Sequence, residues 1–119
     1  MGEQYPLFNN FKTNTMNLPN VIADLAAAQN NFDSVAYANC FSETAVVFDE
    51  GKTHTGKTAI KNWIEKANQE YRAVMKPLEY SPVEQTLQAE VSGTFAGSPI
   101  VLTFQFELKD GEIQSLKIG

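Results

Sequence analysis

Hydrophobic residues recur at helical spacing in the first half of the chain, and this pattern predicts three helices. The first runs from about residue 19 to residue 29, with Pro19 in the first turn, where its missing N–H costs nothing. Asn31 or Asp33 can cap a second, short helix that carries Val35 to Phe41. Because that segment is apolar nearly all round, we expect the second helix to be buried.

The third helix follows Gly56 and has the clearest period in the sequence. Its apolar positions fall at i, i+3, i+4, i+7 and i+11 and share one helical face: Ile60, Trp63, Ile64, Ala67 and Tyr71. Lysines and Glu65 take the other faces. This helix is expected to pack its apolar face on the core.

A period of two predicts strands in the rest of the chain. Residues 45–48 form one strand, which turns at residues 49–51 into a short returning strand through His54. Alternation then marks residues 87–95 and 100–108 as two strands, and residues 112–118 as a last one. Residues 73–85 are expected to be extended as well, at an edge or a bend, because two prolines interrupt them.

Helices followed by antiparallel strands predict an α+β fold, in which three helices of the N-terminal half pack on a curved, mainly antiparallel sheet. Residues 1–16 show no sustained period, and we expect an irregular N-terminal arm there. The length of 119 residues suits one hydrophobic core, so residues 17–119 are expected to form a single domain.

Composition narrows the function classes. Nine basic and fourteen acidic residues give a net charge of −5, and Arg72 is the only arginine, so nucleic acid is not expected as a partner. Cys40 is the only cysteine, which excludes an intramolecular disulfide and a cysteine zinc site. No His, Asp and Glu set has metal spacing and no nucleotide-binding loop is present, so neither metal nor cofactor is expected. Apolar stretches are too short to span a bilayer, and we expect a cytoplasmic protein without membrane contact.

Two segments resemble the nuclear transport factor 2-like superfamily, in its branch of SnoaL-like polyketide cyclases and ketosteroid isomerase. They are FSETAVVFD, from Phe41 to Asp49, and HTGKTAIKNW, from His54 to Trp63. The order of elements over residues 17–119 is also similar to that superfamily. The resemblance implies a cone-shaped fold with an apolar pocket at its open end and a homodimer packed through the outer sheet face.

The same resemblance places Asp49 where ketosteroid isomerase has its general base. Alternation from Ala45 and Val47 puts Asp49 on their side of the strand, and a carboxylate between apolar walls has a raised pKa. Asp49 can alternatively serve only the turn, by hydrogen bonding its own backbone. The oxyanion-hole tyrosine and acid of ketosteroid isomerase fall at Leu25 and near Phe104, so steroid isomerase activity is not expected.

Two further residues are candidates for acid–base chemistry beside Asp49. His54, the only histidine, can act as a second acid/base or hydrogen-bond donor, or lie as a solvated edge residue. Tyr37 can point its hydroxyl into the cone, or be an amphipathic core residue.

The ligand pocket is expected to be lined by residues of one helix face and of the inward strand faces, with a glycine leaving room beside the aromatic rings, although plain packing explains the same pattern. These residues are Leu25, Trp63, Val91, Gly93, Leu102 and Phe104. We therefore predict a protein that binds a small hydrophobic molecule and is a cofactor-free isomerase, cyclase or dehydratase of a carbonyl compound at Asp49. The alternative is a non-catalytic ligand-binding or dimerisation module of the same fold.

Overall fold

A computed structural model of the protein describes residues 17–119. The arm predicted for residues 1–16 lies outside the described residues. The elements, in chain order, are α1 (Asn20–Asn30), α2 (Ser34–Ala38), β1 (Phe41–Asp49), β2 (Lys52–Thr55), α3 (Lys57–Tyr71), β3 (Val74–Ser81), β4 (Thr86–Ser92), β5 (Ile100–Lys109) and β6 (Glu112–Ile118). The helices and their order confirm the α+β class predicted from the sequence.

The six strands form one curved sheet in the order β2-β1-β6-β5-β4-β3. All neighbouring pairs are antiparallel except β1 and β6, which run parallel. The order makes β3 an edge strand, where the Pro77 nitrogen needs no ladder partner. The predicted curved, mainly antiparallel sheet under three helices is thus confirmed.

The core lies between the inner face of the sheet and the helices. In the middle of β1, β4 and β5 buried residues alternate with less buried ones, as the period of two predicts. Leu25 and Ile60 on the helices and Val47, Phe106 and Leu116 on the strands are almost fully buried. A carboxylate or imidazole on this inner face therefore faces the helices.

The second helix departs from the sequence prediction. The Asp33 carboxylate caps it, with 3.0 Å from Oδ1 to the Ala36 nitrogen, but the helix ends at Ala38. Cys40 and Phe41 lie outside it because the Ile113 N–H donates to the Cys40 carbonyl, 2.9 Å away, so that Phe41 begins β1 beside β6. The expectation of burial all round was wrong as well, since Val35 is 54% exposed.

The strand predicted over residues 87–95 is also shorter, because β4 ends at Ser92. Beyond it the Thr94 N–H donates to the Tyr71 carbonyl at 2.8 Å, which fastens the chain to the C-terminus of α3. Gly93 and Phe95 therefore belong to the β4–β5 connection. Among the helices of residues 17–119, none is both long and apolar enough to cross a membrane.

Candidate functional site

Four side chains from four elements meet near the end of β1, and we call them the Asp49 cluster: Tyr37, Asp49, His54 and Trp63. Strand geometry accounts for two of them. Asp49 follows Val47 by two residues and so shares its inward face, and His54 is the cross-strand partner of Val47 in β2. The helices α2 and α3 supply the other two from above the sheet. The structure thus brings together the three residues predicted to carry acid–base chemistry.

Trp63 is the centre of this cluster. Its indole stacks on the His54 ring, with 5.3 Å between centroids and 27° between planes. Tyr37 meets the same indole edge-on at 6.1 Å. These distances are typical of favourable aromatic pairs, so the three rings hold one another in place around the carboxylate.

The Asp49 carboxyl is half-buried, and its pKa is raised. Burial is the largest cause, since it penalises the charged form, and the neighbouring Glu50 charge adds to it. Hydrogen bonding by the Trp63 side chain and the nearby His54 oppose the rise. The Asp49 carboxylate is thus a stronger base than that of a solvated aspartate.

The Tyr37 hydroxyl is neutral and buried. The residue is 2% exposed, and desolvation together with the Asp49 charge raises the pKa of its phenol well above the ordinary value. Within residues 17–119 this hydroxyl makes no hydrogen bond to another protein group. A neutral phenol next to a carboxylate is a hydrogen-bond donor for an oxygen atom placed between them.

Cys40 is buried near Tyr37, and its thiol is held in the neutral form. Burial, followed by the charge of Asp24, raises the pKa of its thiol to about 11. Its sulfur contacts the Ala36 carbonyl at 3.5 Å, as a weak donor. In residues 17–119 no group of three or more His, Cys, Asp or Glu side chains could hold a metal ion.

Asp49 also reaches the surface at an open depression of about 480 Å³ around the β1–β2 turn. Its lining includes Phe48, Asp49, Glu50, Lys52, Lys117 and Ile118. The depression mixes charges of both signs with two apolar side chains, and Tyr37, His54 and Trp63 do not line it. None of the six residues predicted to line the pocket takes part in it.

The predicted pocket residues mainly pack the interior. Leu25 and Phe104 are core residues, at 0% and 5% exposure. Val91, Leu102 and Trp63 are partly buried against that core. Of the six, only Trp63 lies in the Asp49 cluster.

Gly93 leaves no room for a ligand, contrary to the prediction. A Cβ at this position would lie 2.4 Å from the Tyr71 carbonyl oxygen and 3.1 Å from the Ala73 Cα. The glycine instead permits a close approach of backbone to backbone between the β4–β5 connection and the end of α3.

Sequence reasoning missed the aromatic contacts of Trp63 with His54 and Tyr37, having placed this residue in core and pocket wall. The helical period that singled out Trp63 gives its face but says nothing of what its indole contacts. The signal that was available is the spacing of the two resembling segments, which brings the end of β1 and the first turns of α3 to the same end of the sheet.

No family model matches the sequence, and the comparison with curated proteins gave no match. Several solved structures, in contrast, are similar to the structure of this chain. A Sinorhizobium meliloti protein provisionally assigned as a polyketide cyclase is 36% identical, with a TM-score of 0.82 over 92% of this chain and 100% of that one.

Two further structures share the fold at lower identity. A nuclear transport factor 2-like protein of unknown function from Cytophaga hutchinsonii is 16% identical, with a TM-score of 0.69 over 92% of this chain and 93% of that one. A protein with a ketosteroid isomerase-like fold from Catenulispora acidiphila, in complex with trimethylamine, is 19% identical, with a TM-score of 0.70 over 87% and 86%.

Proposed function

Because the chain belongs to the nuclear transport factor 2-like superfamily, we propose that it binds a small hydrophobic carbonyl compound and moves a proton on it without a cofactor. Asp49 is the proton carrier of this proposal. The observation that supports it most is the convergence on Asp49 of a buried neutral phenol, an imidazole and an indole from three other elements. A shared fold alone would not carry this step.

The chemistry follows from the protonation states. The ionised Asp49 removes a proton from the carbon next to the carbonyl, and the electron pair of that C–H bond moves toward the carbonyl oxygen. Tyr37, neutral at every ordinary pH, donates a hydrogen bond to the oxygen as its charge grows. Asp49 then returns the proton to another carbon for an isomerisation. His54, partly exposed on β2, is a second donor for the same oxygen or for a leaving hydroxyl in a dehydration.

Classical steroid isomerase chemistry is not proposed. Its two oxyanion donors would fall at Leu25 and at or near Phe104, and both of these residues are apolar and lie in the core. Loss of one such donor typically raises the barrier by about 3 kcal/mol.

The alternative, a non-catalytic ligand-binding or dimerisation module, has two observations in its favour. Most of the side chains predicted to line a pocket fill the interior instead, and the depression beside Asp49 is open to solvent. In that case Asp49 would orient a bound molecule without changing it.

Hydrogen–deuterium exchange separates the two candidates. We expect the protein in deuterated buffer to accelerate exchange of the α-hydrogens of a bicyclic aromatic ketone, β-tetralone, as followed by proton NMR. Asp49→Asn should lower this rate by about a hundredfold or more, the ordinary contribution of a general base. Glu112→Gln, which removes an exposed carboxylate at the start of β6, should leave the rate unchanged. Equal rates for wild type and Asp49→Asn contradict acid–base catalysis and favour the binding module.

We also propose that the protein is a homodimer through the outer face of the sheet. On β5 this face carries Val101, Thr103 and Gln105, of which Val101 is 53% exposed. Apolar and uncharged polar side chains can pair across a two-fold axis, with the charges of Glu90 and Lys117, beside Val101 and Gln105, left at the rim of the interface.

A further inference from the structure

A second depression lies on the side of α3 that faces away from the Asp49 cluster. We call it the Arg72 groove. It has a volume of about 430 Å³, and its lining includes Phe32, Val35, Lys61, Glu65, Asn68 and Arg72. The four residues from α3 and its cap fall at i, i+4, i+7 and i+11, so they form one stripe along the helix. Trp63 lies outside this stripe, and the groove shares no residue with the cluster.

Phe32 and Arg72 hold unusual backbone conformations at this groove. Each follows a helix, α1 or α3, with a φ of 53° and 48° respectively, in the left-handed region where helices usually end on glycine. Both positions keep large side chains despite the conformational cost. The Arg72 guanidinium lies 4.7 Å from the centre of the Phe32 ring, which fixes its position over the groove.

Arg72 is exposed to solvent. Within residues 17–119 no carboxylate forms an ion pair with it. The one acidic residue in the groove, Glu65, is paired with Lys61 at 3.0 Å. The charge left over in the groove is therefore positive, on a chain whose net charge is −5.

Asn68 adds a buried donor to the same groove. The Gln29 Nε2 donates to the Ala73 carbonyl at 2.7 Å and to the Asn68 Oδ1 at 3.1 Å. Because a backbone carbonyl only accepts, these bonds fix the orientation of both amides. The Asn68 amide nitrogen then has no acceptor in the described part of the chain, although the residue is only 7% exposed. A buried N–H without a partner is costly unless a bound molecule satisfies it.

The negative end of the α3 dipole does not cancel this site. The Asn68 carbonyl accepts from the Arg72 N–H at 3.0 Å, and the Tyr71 carbonyl accepts from Thr94. The Glu70 carbonyl accepts from the Thr94 hydroxyl at 3.2 Å as well, so three of the last four carbonyls of α3 are satisfied inside the protein, which lowers the negative charge that the helix end presents to the groove.

From these observations we infer that the Arg72 groove binds a small organic carboxylate with an apolar body. The carboxylate accepts hydrogen bonds from the Arg72 guanidinium and the Asn68 amide, and the apolar body lies against Phe32 and Val35. This site is separate from the Asp49 cluster and does not depend on the function proposed for that cluster.

Titration with benzoate, followed by proton–nitrogen NMR, tests the inference. We expect saturable shifts of the Asn68 side-chain amide and of the signals of Arg72 and of Gln69, which also lines the groove, whereas benzamide, the uncharged analogue, should give none that saturate. Arg72→Gln should weaken benzoate binding at least tenfold, as loss of a charged hydrogen bond does. Lys76→Gln removes one positive charge from exposed β3 and should leave the affinity unchanged.

Several results would overturn the inference. They are shifts that never saturate, equal binding of benzamide, an unchanged affinity in Arg72→Gln, or saturable shifts confined to Trp63 and His54. Arg72→Lys keeps the charge but loses the planar fork, and is expected to bind with intermediate affinity. Unchanged shifts of the sheet amides in each variant establish that the fold is intact.

Discussion

The two ends of the inner sheet face were expected to share one task and turn out to differ. At the β1–β2 end, side chains from three other elements converge on the half-buried Asp49 carboxylate. At the β4–β5 end, the position expected to leave room for a ligand is pressed against the backbone of α3. We call the β1–β2 end, which holds the Asp49 cluster, the chemical end, and the β4–β5 end, where Gly93 packs against α3, the packing end. Residue patterns that look alike in sequence thus serve different purposes, because what lies opposite them decides the outcome.

Substituting Gly93 tests the packing end and should have the largest effect. A methyl group in Gly93→Ala would meet the Tyr71 carbonyl at 2.4 Å, and neither backbone can move freely. We expect the free energy of unfolding to fall by about 3 kcal/mol in urea denaturation. Gly119→Ala, where an added methyl meets nothing within 4 Å, is the matched control and should be neutral. A Gly93→Ala protein as stable as wild type would mean that the space predicted from the sequence exists.

Removing Trp63 tests whether the chemical end is itself packed. Trp63→Ala deletes both aromatic contacts, to His54 and to Tyr37. Because Trp63 is only partly buried, we expect a loss of about 2 kcal/mol, below the 3–5 kcal/mol typical of a fully buried tryptophan. Trp63→Phe keeps the ring contacts and should recover most of that loss. If the two variants unfold at the same urea concentration, the rings do not hold the cluster together.

The sequence predicted which side of its helix or strand a residue occupies better than it predicted which distant residues that side chain contacts. The period of two put Asp49 on the side of Val47, and the helical period put Ile60 and Ile64 in the core, as the structure has them. These are local properties of one element. The end of α2 was missed because the Cys40 carbonyl accepts from Ile113 on the last strand, a long-range bond that no local pattern contains.

The same limit applies to the candidate sites. The pairing of Val47 with His54 follows from the register of β1 and β2, and the short turn between them made that pairing foreseeable. The close approach of Gly93 to Tyr71 and the stacking of Arg72 on Phe32 join segments far apart in the chain. The left-handed conformations of Phe32 and Arg72 could not be predicted either, because neither position is a glycine.

The Asp49 substitution tests the electrostatics of the chemical end, with a smaller effect and an opposite sign. Because burial raises the pKa of Asp49, the folded protein binds its proton more tightly than the unfolded chain does. Stability therefore falls as the pH rises from the unfolded-state pKa of about 3.9 through the folded-state pKa. Asp49→Asn removes the buried charge and should raise the free energy of unfolding at neutral pH, with a flatter pH dependence.

Urea denaturation of both proteins from acidic to neutral pH measures this difference. Glu112→Gln, at an exposed position, should follow the wild-type curve. If Asp49→Asn is less stable than wild type at neutral pH, the carboxylate is stabilised by its partners more than it is penalised by burial. The interactions of the Asp49 carboxylate with His54 and Trp63 would then stabilise the fold.

The outer side of the β4–β5 region offers the last test, which should leave the stability of the single chain nearly unchanged. If this region serves packing and assembly, light scattering at micromolar concentration should give twice the mass of one chain, which is 13.2 kDa.

Thr103 lies on the outer face of β5, opposite Gln88 of β4. Thr103→Lys places like charges near the two-fold axis and should shift the mass toward that of one chain, while surface substitutions of this kind change folding stability by only about 0.5 kcal/mol. Lys117→Thr, which takes a charge off the outer face of β6, should not weaken the dimer. Wild-type protein that keeps the mass of one chain over the whole range contradicts the homodimer and leaves the outer face as a solvated sheet surface, with the contrast between the two ends of the inner face unaffected.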